Sequence, residues 1–382
     1  MLATPWGDAA ALRERRLYPG AGTAPEEVAR NQRERLFAAS VAIAAERGYE
    51  AMTVADVLEL SGVSRSAFYS HFENKAECLT AAAAELIEPA VAALTESGGA
   101  DTAPQPRQVF ERFFALLGAQ PAAARVCFVE LHAAGPQGEA VGDRAFEALA
   151  AAVAELGAEA GRPAIDAELS RLIAAGLRKL IHSRLARHQL TELDQLVPEL
   201  WHWLEGIEPP PGPLHSPRRQ RPPSSPPFQG YTPAERIAHA VATLVAERGY
   251  GAMSTDDIAA QARISLSTFY DHFANKRDAV LAALEMSGAQ IMALAVPAAR
   301  RAENWKAGVR AFYEAICQYF VAEPALAELV LVGVYGAGSR ALIHRDGLID
   351  SLAAMLAPGF AENPEVPEIG AEAIAATVYA LM

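Results

Sequence analysis

The sequence predicts an all-α fold repeated twice along the chain, each half a three-helix head followed by a helical body. Three observations carry this. Alanine-rich runs broken by single charges fill the 382 residues, and strand-like alternation is hard to find anywhere. A proline-dense stretch interrupts the chain just past its middle. Residues 45–77, AERGYEAMTVADVLELSGVSRSAFYSHFENKAE, also lie over 246–278, AERGYGAMSTDDIAAQARISLSTFYDHFANKRD, at an offset of 201 without a gap, with 16 of 33 positions identical. An apolar content of 51% is enough to supply a core to each half.

Taken in order, residues 1–25 read as a disordered N-terminal arm, 26–74 as the first head and 75–206 as the first helical body. Residues 207–232 read as a linker, 233–275 as the second head and 276–382 as the second body. The linker, IEPPPGPLHSPRRQRPPSSPPFQGYT, has too much proline for a packed helix and reads as an extended spacer of about 80 Å at about 3.1 Å per residue. Its Arg218, Arg219 and Arg221 read as solvated linker charge. The duplication continues more weakly downstream, where Pro121 echoes Pro324 and AELSRLIAAGLR (167–178) echoes AEAIAATVYALM (371–382). The sequence stops at Met382 in the middle of that apolar stripe, so the second body is expected to be truncated.

Within each head, Leu36, Ala39 and Ile43, or Ile237, Ala240 and Leu244, recur at helical spacing and predict a first helix. Gly48 and Gly249 sit where its end needs a left-handed residue. Thr53 with Asp56, and Ser254 with Asp257, have the spacing of a capping box and open a short second helix. Gly62-Val63-Ser64 then supplies a tight turn, a plug and the N-cap of a third helix, which together make a helix-turn-helix. In that third helix Phe68 and Phe72 face the core, and Arg65, Ser66, Tyr69 and Ser70 point away from it. Asn74 with Glu77, and Asn275 with Asp278, read as the cap of a fourth helix. Lys75 and Lys276 oppose the helix dipole in its first turn, which predicts a phosphate held there by ammonium and free amides, the alternative being that both lysines are merely solvated.

These residues resemble the TetR family of bacterial regulators. The resemblance rests on Gly48-Tyr49, Thr53, Gly62-Val63-Ser64, Phe68-Tyr69, His71-Phe72 and Lys75, and covers about fifty residues of each half. It implies a cytoplasmic repressor that binds a double-stranded DNA operator as a dimer and leaves it when a small-molecule effector enters the helical body. Carried over by position, Tyr69, His71 and Lys75 hold phosphates and Arg65 and Ser66 reach bases, beside the caps Thr53 and Ser64. In the second head the matching positions are Tyr270, His272 and Lys276 for phosphates and Leu266 and Ser267 for bases, beside Ser254 and Ser265. Two departures stand out: Arg263 replaces the turn glycine, which predicts either strain or a relaxed turn, and Leu266 replaces Arg65 and can touch a thymine methyl but cannot donate to guanine. The two heads are therefore expected to prefer different half-sites.

The resemblance also implies dimerisation through the last two helices of the body. Leu169, Leu172, Ile173, Leu177, Leu180 and Ile181 stripe the penultimate helix of the first half, and Leu193, Leu196, Leu200 and Leu204 the last. Self-association within one chain, as a pseudo-dimer on an asymmetric operator, stands beside an ordinary homodimer. The alternative is that only the first head binds DNA and the second half is a dimerisation or partner-binding module.

A net charge of −13 excludes a protein coated in basic surface. The heads themselves are net −3 over 26–80 and −1 over 233–280, so motif and geometry carry the DNA reading. Cys78, Cys127 and Cys317 have no metal or redox spacing, and no apolar run reaches about 18 residues, so neither export nor a membrane is expected. Gly333 to Gly338 has the wrong glycine spacing for a nucleotide loop and reads as a helix–helix connection. His182, His188 and His202 read as bundle histidines rather than metal ligands, and Trp201 and Trp203 as interface aromatics. No catalytic constellation, cofactor site or metal site is expected.

Overall fold

The computed structural model describes residues 4–18, 23–95, 106–159, 166–187, 193–207, 232–337, 339–361, 367 and 369–381. Its contacts divide the chain into two units, Met1–Pro209 and Pro210–Met382. Most of the proline-rich linker, residues 208–231, lies outside the described residues, as does His188. Among the described residues, extended pairing is confined to one antiparallel bridge between Thr4 and Gly7, and the fold is otherwise helical.

The first unit opens with a short helix, α1 (Ala9–Glu14), where a disordered arm was expected. Asp8 caps it by accepting from Ala10 and Ala11 amides at 3.0 Å each. Ala9 is buried on Ala38 and Ala42, with Leu12 and Leu60 alongside. Alanine on alanine gives little hydropathy signal, yet it lets two helix backbones approach closely, and this contact orders the segment.

The first head is α2 (Pro25–Arg47), α3 (Val54–Ser61) and α4 (Arg65–His71). The long α5 (Lys75–Thr95) leads into α6 (Pro106–Ala119) and α7 (Pro121–Arg125). A π-helical turn, Val126–Glu130, and a 3-10 turn, Leu131–Ala134, then precede α8 (Pro136–Glu159), α9 (Ala167–Ala186) and α10 (Leu193–Glu205). Head and body share one core, in which Phe37, Phe68, Phe72 and Leu79 continue into Ala122, Val126 and Leu131. Ile173, Leu177, Leu180 and Ile181 of the predicted dimer stripe are buried within the first unit. α10 packs on α6, with Trp201 and Phe110 at 5.9 Å.

The second unit repeats the order: α11 (Pro233–Ala252), α12 (Thr255–Ala262), α13 (Leu266–His272) and α14 (Lys276–Arg300). α15 (Trp305–Ala322), α16 (Pro324–Leu331), a 3-10 turn at Gly333–Ala337, α17 (Ser339–Ala361) and α18 (Ile369–Leu381) complete it. The glycine-rich segment is thus a helix–helix connection. α14 is long and apolar enough by composition to cross a bilayer, and it packs against α11, α15 and α17.

Candidate nucleic-acid interface

Each head presents its third helix through caps that the sequence spells out locally. Thr53 accepts from the Asp56 amide at 3.2 Å while Asp56 accepts from the Thr53 amide at 2.9 Å. Ser254 and Asp257 repeat both bonds at 3.2 and 2.9 Å. These bonds hold the carboxyls of Asp56 and Asp257 below the usual carboxylate range, the hydroxyl of the cap being the largest cause in each. Ser64 and Ser265 cap α4 and α13 by accepting from Ala67 and Thr268 amides at 3.2 and 3.0 Å.

On α4, Phe68 is fully buried and Phe72 nearly so, which turns Arg65, Ser66, Tyr69 and Ser70 to the surface. The Arg65 guanidinium lies 5.7 Å from the centre of the Tyr69 ring, and Tyr69 itself is 48% exposed. On α13, Phe269 is the buried anchor, and Leu266, Ser267, Tyr270 and Asp271 are exposed. Asp271 stands where the first head has Ser70, a difference the matching of motif positions passed over because that position is outside the motif. With Leu266 in place of Arg65 as well, the outward face of α13 has lost a cation and gained an anion. Positive charge instead flanks the helix, at Arg263 before it and at Arg277 on α14.

Arg263 keeps the backbone that glycine adopts in the first head, with φ 54° and ψ 50° against 63° and 22° for Gly62. It has positive φ alone among the described non-glycine residues. A left-handed conformation costs a side-chain-bearing residue roughly 1–2 kcal/mol. Arg263→Gly is expected to stabilise the second unit by about 1 kcal/mol, since glycine gives back part of the gain as chain entropy. Thermal or denaturant unfolding of the full chain measures it, and a neutral or lower stability contradicts the assignment of strain.

Lys75 and Lys276 are not where the anion-site expectation put them. The Lys75 ammonium donates to the carbonyls of Tyr49, Glu50 and Met52 at 3.0, 3.3 and 2.8 Å and lies 4.3 Å from the Tyr49 ring centre. Lys276 donates to Tyr250 and Met253 carbonyls at 3.2 and 2.9 Å, 4.5 Å from the Tyr250 ring centre. Three carbonyls left by the chain reversal after Gly48 outcompete solvent for the ammonium, because they converge on one point. Burial lowers the Lys75 pKa, with Glu50 opposing. The amides at the start of α5 and α14 remain, but the side chains close the turn rather than reaching outward.

His71 is also held internally, its Nε2 3.0 Å from Gln32 Oε1. Burial, then Arg33, lowers its pKa, so the folded head favours the neutral ring. The position matching Gln32 is Pro233, and His272 is exposed. Of the predicted contacts, the structure thus brings Arg65, Ser66 and Tyr69 together on one face and turns Lys75 and His71 inward.

Two features of the first unit connect this head to its body. Glu130, at the end of the π-helical turn, accepts from the Tyr49 amide at 2.9 Å and from Arg125 at 3.2 Å, and Arg125 also donates to the Leu185 carbonyl of α9 at 2.7 Å. Burial pushes the Glu130 carboxyl up, opposed by the Tyr49 amide and Arg125. Beside this link is a cavity of about 160 Å³, lined among others by Leu86, Phe113, Leu117, Cys127, Phe128 and Phe146. Cys127 and Phe128 belong to the same π-helical turn as Glu130. Burial holds the Cys127 thiol protonated, with a pKa of about 12.

Residues 36–82 and 237–283 both match the family model described as bacterial regulatory proteins, tetR family. Among solved structures, the fatty acid degradation regulator FadR from Bacillus halodurans aligns at 21% identity with a TM-score of 0.41, over 48% of this chain and 96% of that chain. No curated protein matches the chain.

Proposed function

We propose that the chain, both of whose heads match the tetR family model of bacterial regulatory proteins, is a repressor whose two heads do unlike work on one operator. The observation that carries this is the contrast between the outward faces of α4 and α13. α4 offers Arg65, a bidentate donor suited to guanine, beside Ser66 and the phosphate-reaching Tyr69. α13 offers Leu266 and Asp271, with Arg263 and Arg277 at its ends. The first head reads bases; the second grips backbone and adds affinity with less discrimination. One chain then favours an asymmetric site, and two chains a symmetric one with two reading heads.

The cavity of the first unit is the effector site in this reading. Its wall includes the turn that carries Glu130, and Glu130 holds the end of α2 through Tyr49, so a ligand that shifts the turn also shifts the head. Leu266 and Asp271 favour a second reading, in which the second head contacts no DNA and the second unit serves association alone.

Selection of bound DNA from random sequence, with stoichiometry measured alongside, tests the division of labour. Arg65→Ala is expected to cost about 1–3 kcal/mol at one base pair of the selected site and to relax preference there. Arg263→Gly is expected to flatten the salt dependence of binding by about one unit while leaving base preference intact. An unchanged salt slope in Arg263→Gly supports the second reading instead.

A further inference from the structure

The polar residues around the first unit's cavity are unequal, and their inequality points to the charge of its ligand. Glu85 is at the cavity wall but engaged, 3.6 Å from Arg33 and accepting from the Trp6 indole at 3.3 Å. Gln120 and His132 also line the cavity. Arg178, on α9, is the cation of the lining, and no carboxylate among the described residues pairs with it. The nearby acid of α8, Glu147, is taken by Arg171 at 2.7 Å, which leaves Arg178 stacked on the Phe146 ring at 5.0 Å. The remaining wall is mostly aliphatic and aromatic and includes Pro5 and Trp6 of the N-terminal segment.

Resting on the reading of this cavity as the effector site, we propose that it takes an apolar monocarboxylate, with the carboxylate on Arg178 and the hydrocarbon or aromatic body against the Phe113, Phe128 and Trp6 side of the wall. A half-buried guanidinium without an acid partner gains a charge-assisted, bidentate bond from such a ligand. A neutral molecule of the same shape leaves it unpaired. A cavity near 150 Å³ lined by aliphatic and aromatic side chains accommodates a benzene-sized group, which sets the scale of the apolar body.

The probes are 4-phenylbutanoate and its neutral counterpart 4-phenylbutan-1-ol, titrated calorimetrically into the full chain. The acid is expected to bind at least about tenfold tighter than the alcohol, and Arg178→Met to erase that preference while the alcohol binds as before. Arg178→Lys keeps a cation and is expected to retain part of the preference, which separates charge from packing. Ala145→Phe fills the cavity and is expected to abolish binding of both probes. Equal binding of acid and alcohol to the unsubstituted chain overturns the carboxylate assignment and leaves the cavity reading standing. Binding of both that survives Ala145→Phe, in a variant that melts like the parent, overturns the cavity reading, and so does no binding of either probe.

Discussion

Glu130→Ala is expected to lower the stability of the first unit by about 3–5 kcal/mol, the cost of breaking a buried ion pair from one side. The Arg125 and Glu130 side chains are 10% and 7% exposed and 3.2 Å apart. Removing the carboxylate strands a buried guanidinium whose remaining bond is to the Leu185 carbonyl. It also strands the Tyr49 amide at the end of α2. Replacing the pair with apolar residues of similar size, Arg125→Met with Glu130→Leu, removes both charges together and is expected to recover much of that loss, because desolvation of the charges opposes their attraction. The readout beyond stability is regulation. The double variant, folded but lacking the carboxylate on Tyr49, is expected to bind operator without responding to effector. Denaturant unfolding and DNA titration with and without effector check the two halves of this claim separately. A double variant that responds normally contradicts the coupling route while leaving the stability argument intact.

How much of this was legible beforehand depended on sequence distance. Both capping boxes, the Ser64 and Ser265 caps and the Asn275 cap join residues three apart, so spacing alone identified them. The buried faces of α4 and α13 followed from phenylalanines four apart. The inward turn of Lys75 did not, because its carbonyl partners lie 23 to 26 residues away and carbonyls carry no side-chain signature. His71 and Gln32 are 39 apart. The Glu130 link to Tyr49 spans 81 residues, although a lone Arg125 and Glu130 five apart within an apolar run was a signal available to be weighed. α1 was missed because Ala9, Ala38 and Ala42 are too small to register as an apolar stripe, yet their smallness is what permits the contact. Arg263 was the opposite case. A single departure from glycine at a known turn predicted strain, and the backbone retained the left-handed geometry rather than relaxing.

Lys75→Ala is expected to destabilise the first unit by about 2–3 kcal/mol and to leave the salt dependence of DNA binding unchanged. A Lys75 ammonium on a DNA phosphate predicts the reverse, a loss of about one unit of salt slope with little change in stability. The geometry decides between them. An ammonium has three hydrogens, and here three carbonyls lie within 3.3 Å, with the Tyr49 ring at 4.3 Å from Nζ. A phosphate would have to win the ammonium from three carbonyls, two of them in partly buried bonds, and each of those two abandoned costs about 1–3 kcal/mol. Lys276 makes two such bonds, so Lys276→Ala is expected to act in the same direction on the second unit with a smaller effect. Melting curves and operator titrations across a range of sodium chloride read both quantities from the same preparations. A Lys75→Ala variant that melts like the parent but shows a flatter salt slope returns the lysine to the phosphate backbone. The expected outcome makes the paired lysines a repeated internal clamp, duplicated with the heads because each head needs its chain reversal closed before its third helix has a fixed direction.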